Sequence, residues 1–65
     1  MNIKVNGEVK DINSTTIACL FKELDIRPLG MVVHVNGAIV HWTKYDAFQI
    51  KENADIEIIR VIAGG

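Results

Sequence analysis

The residues best suited to chemistry are the last two, Gly64-Gly65. Glycine pairs usually mark a turn because helix and strand interiors lose backbone entropy to them. These two follow Ile56 to Ile62, the most apolar and β-branched run in the sequence. That order predicts a strand running into a short flexible tail, Ala63-Gly64-Gly65, with no side chain beyond a methyl. Such a tail suits threading into a narrow channel of another protein, with Ala63 and Gly64 as the threading residues and the Gly65 carboxylate as the reacting group. An α-carboxyl with a reference pKa of about 3.3–3.7 is ionised at neutral pH. A frayed end of a small domain is the plainer alternative.

Other groups offer less. Cys19 falls almost opposite the apolar stripe of the helix described below, with only Lys22 nearby to activate a thiol. A second hairpin would make His34 and His41 diagonal neighbours on its open face, and two histidines without a Cys or carboxylate make a thin metal site. No metal is expected, and a partner-contacting or merely solvated face suits both. Trp42 and Tyr45 can either cap the edge of the core or dock a partner. Glu52, Asp55 and Glu57 read as a solvated rim, since no apolar pocket is apparent to raise one of their pKa values.

Sixty-five residues, 49% hydrophobic and 23% charged, suit one folded domain near the lower size limit for a core without staples. A private catalytic cleft with supporting residues has little room, so the chain is not expected to be an enzyme. Net charge is −1, and Lys4, Lys10, Lys22, Arg27, Lys44, Lys51 and Arg60 are scattered. No basic stripe tracks a phosphate backbone, so no nucleic acid is expected. The opening MNIKVNGEVK has no signal-type apolar stretch, no run approaches membrane-spanning length, and the single cysteine forms no internal disulfide. Cytoplasmic localisation without membrane attachment is the expectation.

The elements that must position the tail follow from periodicity. Ile3 and Val5 alternate before Asn6-Gly7, and Val9 and Ile12 follow, which predicts a hairpin. A three-residue loop opposes Val5 to Val9, whereas a two-residue loop opposes Val5 to Glu8; pairing the valines favours the longer loop. Ser14 or Thr15 caps a helix carrying Ile17, Leu20, Phe21 and Leu24 on one stripe. Arg27-Pro28-Leu29-Gly30 ends it, because proline disfavours helix before and at its own position.

Met31 to Asn36 and Ala38 to Trp42 flank a second Asn-Gly, whose type I′ turn sets Val35 against Ala38, Val33 against Val40 and His34 against Ile39. Thr43 to Phe48 reads as an irregular or helical connection, Gln49 and Ile50 as a brief strand, and Asn53-Ala54-Asp55 as a turn into the last strand. One amphipathic helix after a hairpin must cover one face of a small mixed sheet. The expected class is α+β, a ubiquitin-like β-grasp over residues 1–62 with the last strand parallel to the first and the tail at 63–65. In the last strand Ile56, Ile58 and Ile62 share a side with Arg60. Ile59 and Val61 then stand with Ile39 on the open face, a cluster expected to bind a partner, with scattered exposed aliphatics as the plainer alternative.

MNIKVNG at the start, VVHVNGAIV in the middle and VIAGG at the end span essentially the whole chain. Together they resemble the ThiS branch of ubiquitin-like sulfur carriers from thiamin biosynthesis. The family commonly shows Val-Pro-Arg with a Trp a few residues on, where this chain has Val40-His41-Trp42 and Tyr45.

The resemblance implies that an adenylating, ThiF-like activating enzyme uses ATP and magnesium to adenylate the Gly65 carboxylate. Sulfur then replaces AMP to form a thiocarboxylate, which a ThiG-like thiazole synthase consumes. On that view the carrier binds no cofactor and supplies no acid, base or metal ligand. The alternatives are a carrier of another pathway, such as the small subunit of molybdopterin synthase, and a non-catalytic ubiquitin-like interaction or tagging module.

Overall fold

The computed structural model describes residues 1–61, so Ile62 and the tail lie outside the described residues. The strands are β1 (Asn2–Val5), β2 (Glu8–Asp11), β3 (Met31–Val35), β4 (Ala38–Val40) and β5 (Asp55–Arg60), with one helix, α1 (Ile17–Glu23). They form one sheet of order β2-β1-β5-β3-β4. β5 runs parallel to β1 and antiparallel to β3, and both hairpins are antiparallel. The last strand thus inserts at the centre of the sheet, as the predicted β-grasp requires.

The first hairpin corrects the expected loop. Asn6 and Gly7 have φ of 51° and 83°, a two-residue turn, and Val5 pairs with Glu8. Val9 therefore pairs with Lys4 and is exposed. The turn wins over the valine pairing because Asn6 is bonded to the central strand. Its N–H donates to the Ile56 carbonyl at 2.9 Å, and its side-chain Oδ1 accepts from the Ile58 N–H at 2.8 Å. The second hairpin has the predicted register, with Asn36 and Gly37 also in the left-handed region.

The helix is shorter than its hydrophobic spacing suggested. Thr16, rather than Ser14 or Thr15, is the N-cap, and its Oγ1 accepts from the Cys19 N–H at 3.2 Å. Ser14 instead donates to Glu23, whose carboxylate also accepts from the N–H groups of Asn13 and Ser14. This ties the incoming loop to the far end of α1. The helix stops at Glu23, before Arg27-Pro28 is reached. Asp25 turns left-handed at φ 56°, and the Ile26 N–H donates to the Phe21 carbonyl at 2.9 Å while that of Asp25 reaches Lys22 at 3.2 Å. Those two bonds make a Schellman stop, which satisfies carbonyls that a free helix end leaves unpaired.

Ile17, Leu20 and Phe21 pack from α1 onto Ile3 and Val5 of β1, Val33 and Val35 of β3, Val40 of β4 and Ile56 of β5. Leu24 packs at the margin of this cluster. Beyond β4 a single 3₁₀ turn spans Trp42–Lys44. Gln49 makes one isolated bridge to Thr16 instead of a strand, and Ile50 donates to the Thr15 carbonyl at 2.8 Å. The connection between β4 and β5 is thereby pinned to the start of α1. Asn53, at φ 65°, turns the chain into β5.

Candidate functional site: the open sheet face and the start of the tail

Residues alternate across a strand, so burying Ile56 against α1 commits Ile58 and Arg60 to the helix side and Glu57, Ile59 and Val61 to the open side. The ladders set His34 between Ile39 and Glu57 in one row, and Val32 beside Ile59 in the next. Ile39, Ile59 and Val61 retain 68%, 42% and 53% of their surface. On the predicted face Ile39 adjoins His34, Val32 and Ile59 fill the next row, and Val61 lies beyond that row beside Gly30. Val32 was missed from sequence, although its alternation with the buried Val33 carried the signal. Ile39 and Ile59 lie on strands either side of β3, so Val32 and His34 connect them.

His41 is placed differently from expectation. The ladder stops at Val40, and His41 leaves it to cap the 3₁₀ turn, its Nδ1 lying 3.0 Å from the Thr43 hydroxyl. The pairing that would make His34 and His41 diagonal neighbours is therefore not formed. Its φ of −67° is close to the value a proline ring imposes. Among the described residues, no group of three His, Cys, Asp or Glu is placed to hold a metal ion.

The two aromatic residues of this segment divide the alternatives between them. Tyr45 is 7% exposed, with its ring centroid 5.5 Å from that of Phe21, and burial raises its pKa above the usual 10.0. Trp42 is 71% exposed. It borders an apolar groove of about 610 Å³ between α1, the 26–31 loop and the 3₁₀ turn, lined also by Phe21, Ile26, Leu29 and Met31. Periodicity cannot reveal this groove, because its walls come from three separate segments. Cys19 is exposed, and Glu52 is structural: it accepts from the Asn2 N–H at 3.0 Å.

Val61, just past β5, is held beyond the regular ladder. The Gly30 carbonyl accepts from the Val61 N–H at 2.8 Å, with Gly30 itself at φ 77°. Leu29-Gly30, read from sequence only as a helix stop, thus also anchors Val61, the last described residue. A second hollow of about 540 Å³ lies there, lined by Asp25, Arg27, Leu29, Gly30, Arg60 and Val61 among others. Gly65, Gly64 and Ala63, the predicted reactive and threading residues, lie outside the described residues.

A five-stranded mixed sheet with a parallel β1–β5 centre, one covering helix and an apolar open face beside the outgoing chain defines a ubiquitin-like β-grasp domain. More narrowly, the chain belongs to the ThiS family, whose model matches residues 3–65. A crystal structure of thiamine biosynthesis protein ThiS from Geobacter metallireducens shares the fold, with a TM-score of 0.87 at 23% identity over 100% of both chains. A solution structure of a thiamine biosynthesis protein from the same organism gives 0.76 at 23% identity, over 100% of this chain and 88% of the other. No curated protein sequence matches the chain. Among the described residues, no helix is long and apolar enough to cross a membrane.

Proposed function

We propose that this protein is a sulfur carrier serving thiazole formation in thiamin biosynthesis, with Gly65 as the carrying residue. An oxygen of the Gly65 carboxylate attacks the α-phosphorus of magnesium-bound ATP in an activating enzyme, and pyrophosphate leaves. A sulfide-level sulfur nucleophile then attacks the acyl carbon of the adenylate, the C–O bond breaks and AMP leaves, and the resulting thiocarboxylate passes its sulfur to a thiazole synthase. The carrier's contribution is delivery. Its apolar face of Val32, Ile39 and Ile59 docks the partner, while Ala63 and Gly64 admit the backbone to a site too narrow for a Cβ.

The observation that carries this reading is the family match extending through VIAGG, on a strand whose last described residue is clamped by Gly30. Incubation with the cognate activating enzyme, ATP and a sulfur donor is expected to add about 16 Da, one sulfur exchanged for one oxygen at the C-terminus. Deleting Gly65 is expected to abolish the gain and leave the circular dichroism spectrum unchanged. A mass gain that survives the deletion would refute the assignment.

A further inference from the structure

We propose that Arg27 and Arg60 form a cationic docking point that selects an activating enzyme bearing carboxylates beside the mouth of its tail channel. This deepens the sulfur-carrier reading and rests on it for the identity of the partner. Arg60 is the helix-side residue of β5 at its pairing with Met31, so it stands on the opposite face from Ile59 and Val61. Arg27 reaches the same hollow from the loop after the Schellman turn. Asp25 is the one acidic residue that lines the hollow with them. Among the described residues the ion pairs are Met1 with Asp11 and Lys10 with Glu8, so neither arginine is engaged.

The position of the hollow makes this consequential. Val61 lines it, and Val61 is the last described residue, four positions before Gly65. A partner that swallows the tail must close around Val61, and in doing so it takes Arg27 and Arg60 out of water. Covering a guanidinium without an acceptor is costly, whereas a carboxylate meets its planar donors two at a time.

Nucleotide phosphates are not the acceptor. Extended through a channel, the four residues after Val61 put the reacting carboxylate about 13 Å beyond it, too far for arginines rooted at positions 27 and 60. The partner therefore grips both faces of the departing strand, aliphatic contact to Ile59 and Val61 on one side and carboxylates on the other.

The test measures carrier-dependent ATP–pyrophosphate exchange by the cognate activating enzyme, and separately nucleotide-free binding of the two proteins by calorimetry. The variants are Arg27→Glu/Arg60→Glu and, in case charge reversal unfolds the domain, Arg27→Gln/Arg60→Gln. Reversal is expected to raise KM and Kd about tenfold or more at low salt, with kcat within about twofold and the gap narrowing at high salt. The neutral pair is expected to fall between. Unchanged KM and Kd in folded variants, or a loss indifferent to salt, would overturn the proposal. Exchange absent from the wild type while its binding still weakens in the variants would remove the adenylation reading and leave the docking point standing; absence of both would remove both.

Discussion

The side chain of Asn6 and the backbone of Ile58 bond in both directions: Oδ1 accepts from the Ile58 N–H at 2.8 Å, and Nδ2 donates to its carbonyl at 3.3 Å. An asparagine amide has the donor and acceptor of a peptide group, so it prolongs the β1–β5 ladder by one pairing after β1 has turned away. Asn36, in the other Asn-Gly turn, does half of this for the opposite end of β5, its Oδ1 accepting from the Asp55 N–H at 2.9 Å. Both hairpin turns therefore also hold the strand from which the tail departs.

Asn6→Gly keeps the left-handed turn and removes the two side-chain bonds, and is expected to cost roughly 1–2 kcal/mol. Asn6→Ala adds the strain of a non-glycine residue in the left-handed region, about 1 kcal/mol more. Urea denaturation of the three proteins should rank them in that order. Equal midpoints for Asn6→Gly and the wild type would mean the Ile58 bonds contribute nothing.

Acid should loosen the loop before α1. Hydrogen bonds from the Ser14 hydroxyl, and next from the Asn13 N–H, hold the Glu23 carboxyl below its ordinary value of 4.5. A folded pKa below the unfolded one gives stability that is present above about pH 4.5 and is lost as pH falls through the folded value. Glu23→Gln should lower the melting temperature at pH 7 and flatten its dependence on pH below 4.5. Thermal melts across pH 3 to 7 measure both effects.

Tyr45 and Trp42, three residues apart, should respond oppositely to truncation. Tyr45→Ala opens the core beside Phe21 and is expected to cost about 3–5 kcal/mol. Tyr45→Phe should cost below about 1 kcal/mol, because the hydroxyl reaches the Met31 carbonyl only at 3.5 Å. Trp42→Ala should leave stability within about 0.5 kcal/mol. The raised pKa of Tyr45 also fixes a sign: its contribution is complete below pH 10.0 and declines as pH rises through the folded value. An alkaline absorbance titration of the folded protein follows that ionisation.

The open face can be tested apart from the tail. Ile39→Asp and Ile59→Asp change exposed positions, so their melting temperatures should stay near that of the wild type. Their KM in the activating reaction should rise about tenfold, as expected when a charge enters an apolar contact. Val9→Asp lies on the same face beyond Lys4 and Asp55, and should leave KM unchanged. Thiocarboxylated protein should transfer sulfur to thiazole synthase and not to the large subunit of molybdopterin synthase.

Local sequence determined what depends on near neighbours: the apolar stripe of α1, the two Asn-Gly turns, the second hairpin's register and the alternation that sends Ile39 and Ile59 to the open face. It also carried the whole-length likeness to the ThiS family and a credible place for β5. Tertiary structure decided what depends on distant partners. The first hairpin took its two-residue turn because β5 offers Ile56 and Ile58 to Asn6, a contact no pattern near residue 6 contains. His41 left its strand to bond Thr43, and the aromatic pair split because Tyr45 packs its ring against Phe21 in the core while Trp42 stays exposed at the border of the groove. Arg27 and Arg60, far apart in sequence, met in one hollow because β5 pairs with β3 at Met31. Periodicity reports which face a side chain takes; it is blind to which remote backbone groups and charges wait there, and those set the register, the caps and the surroundings of the departing tail.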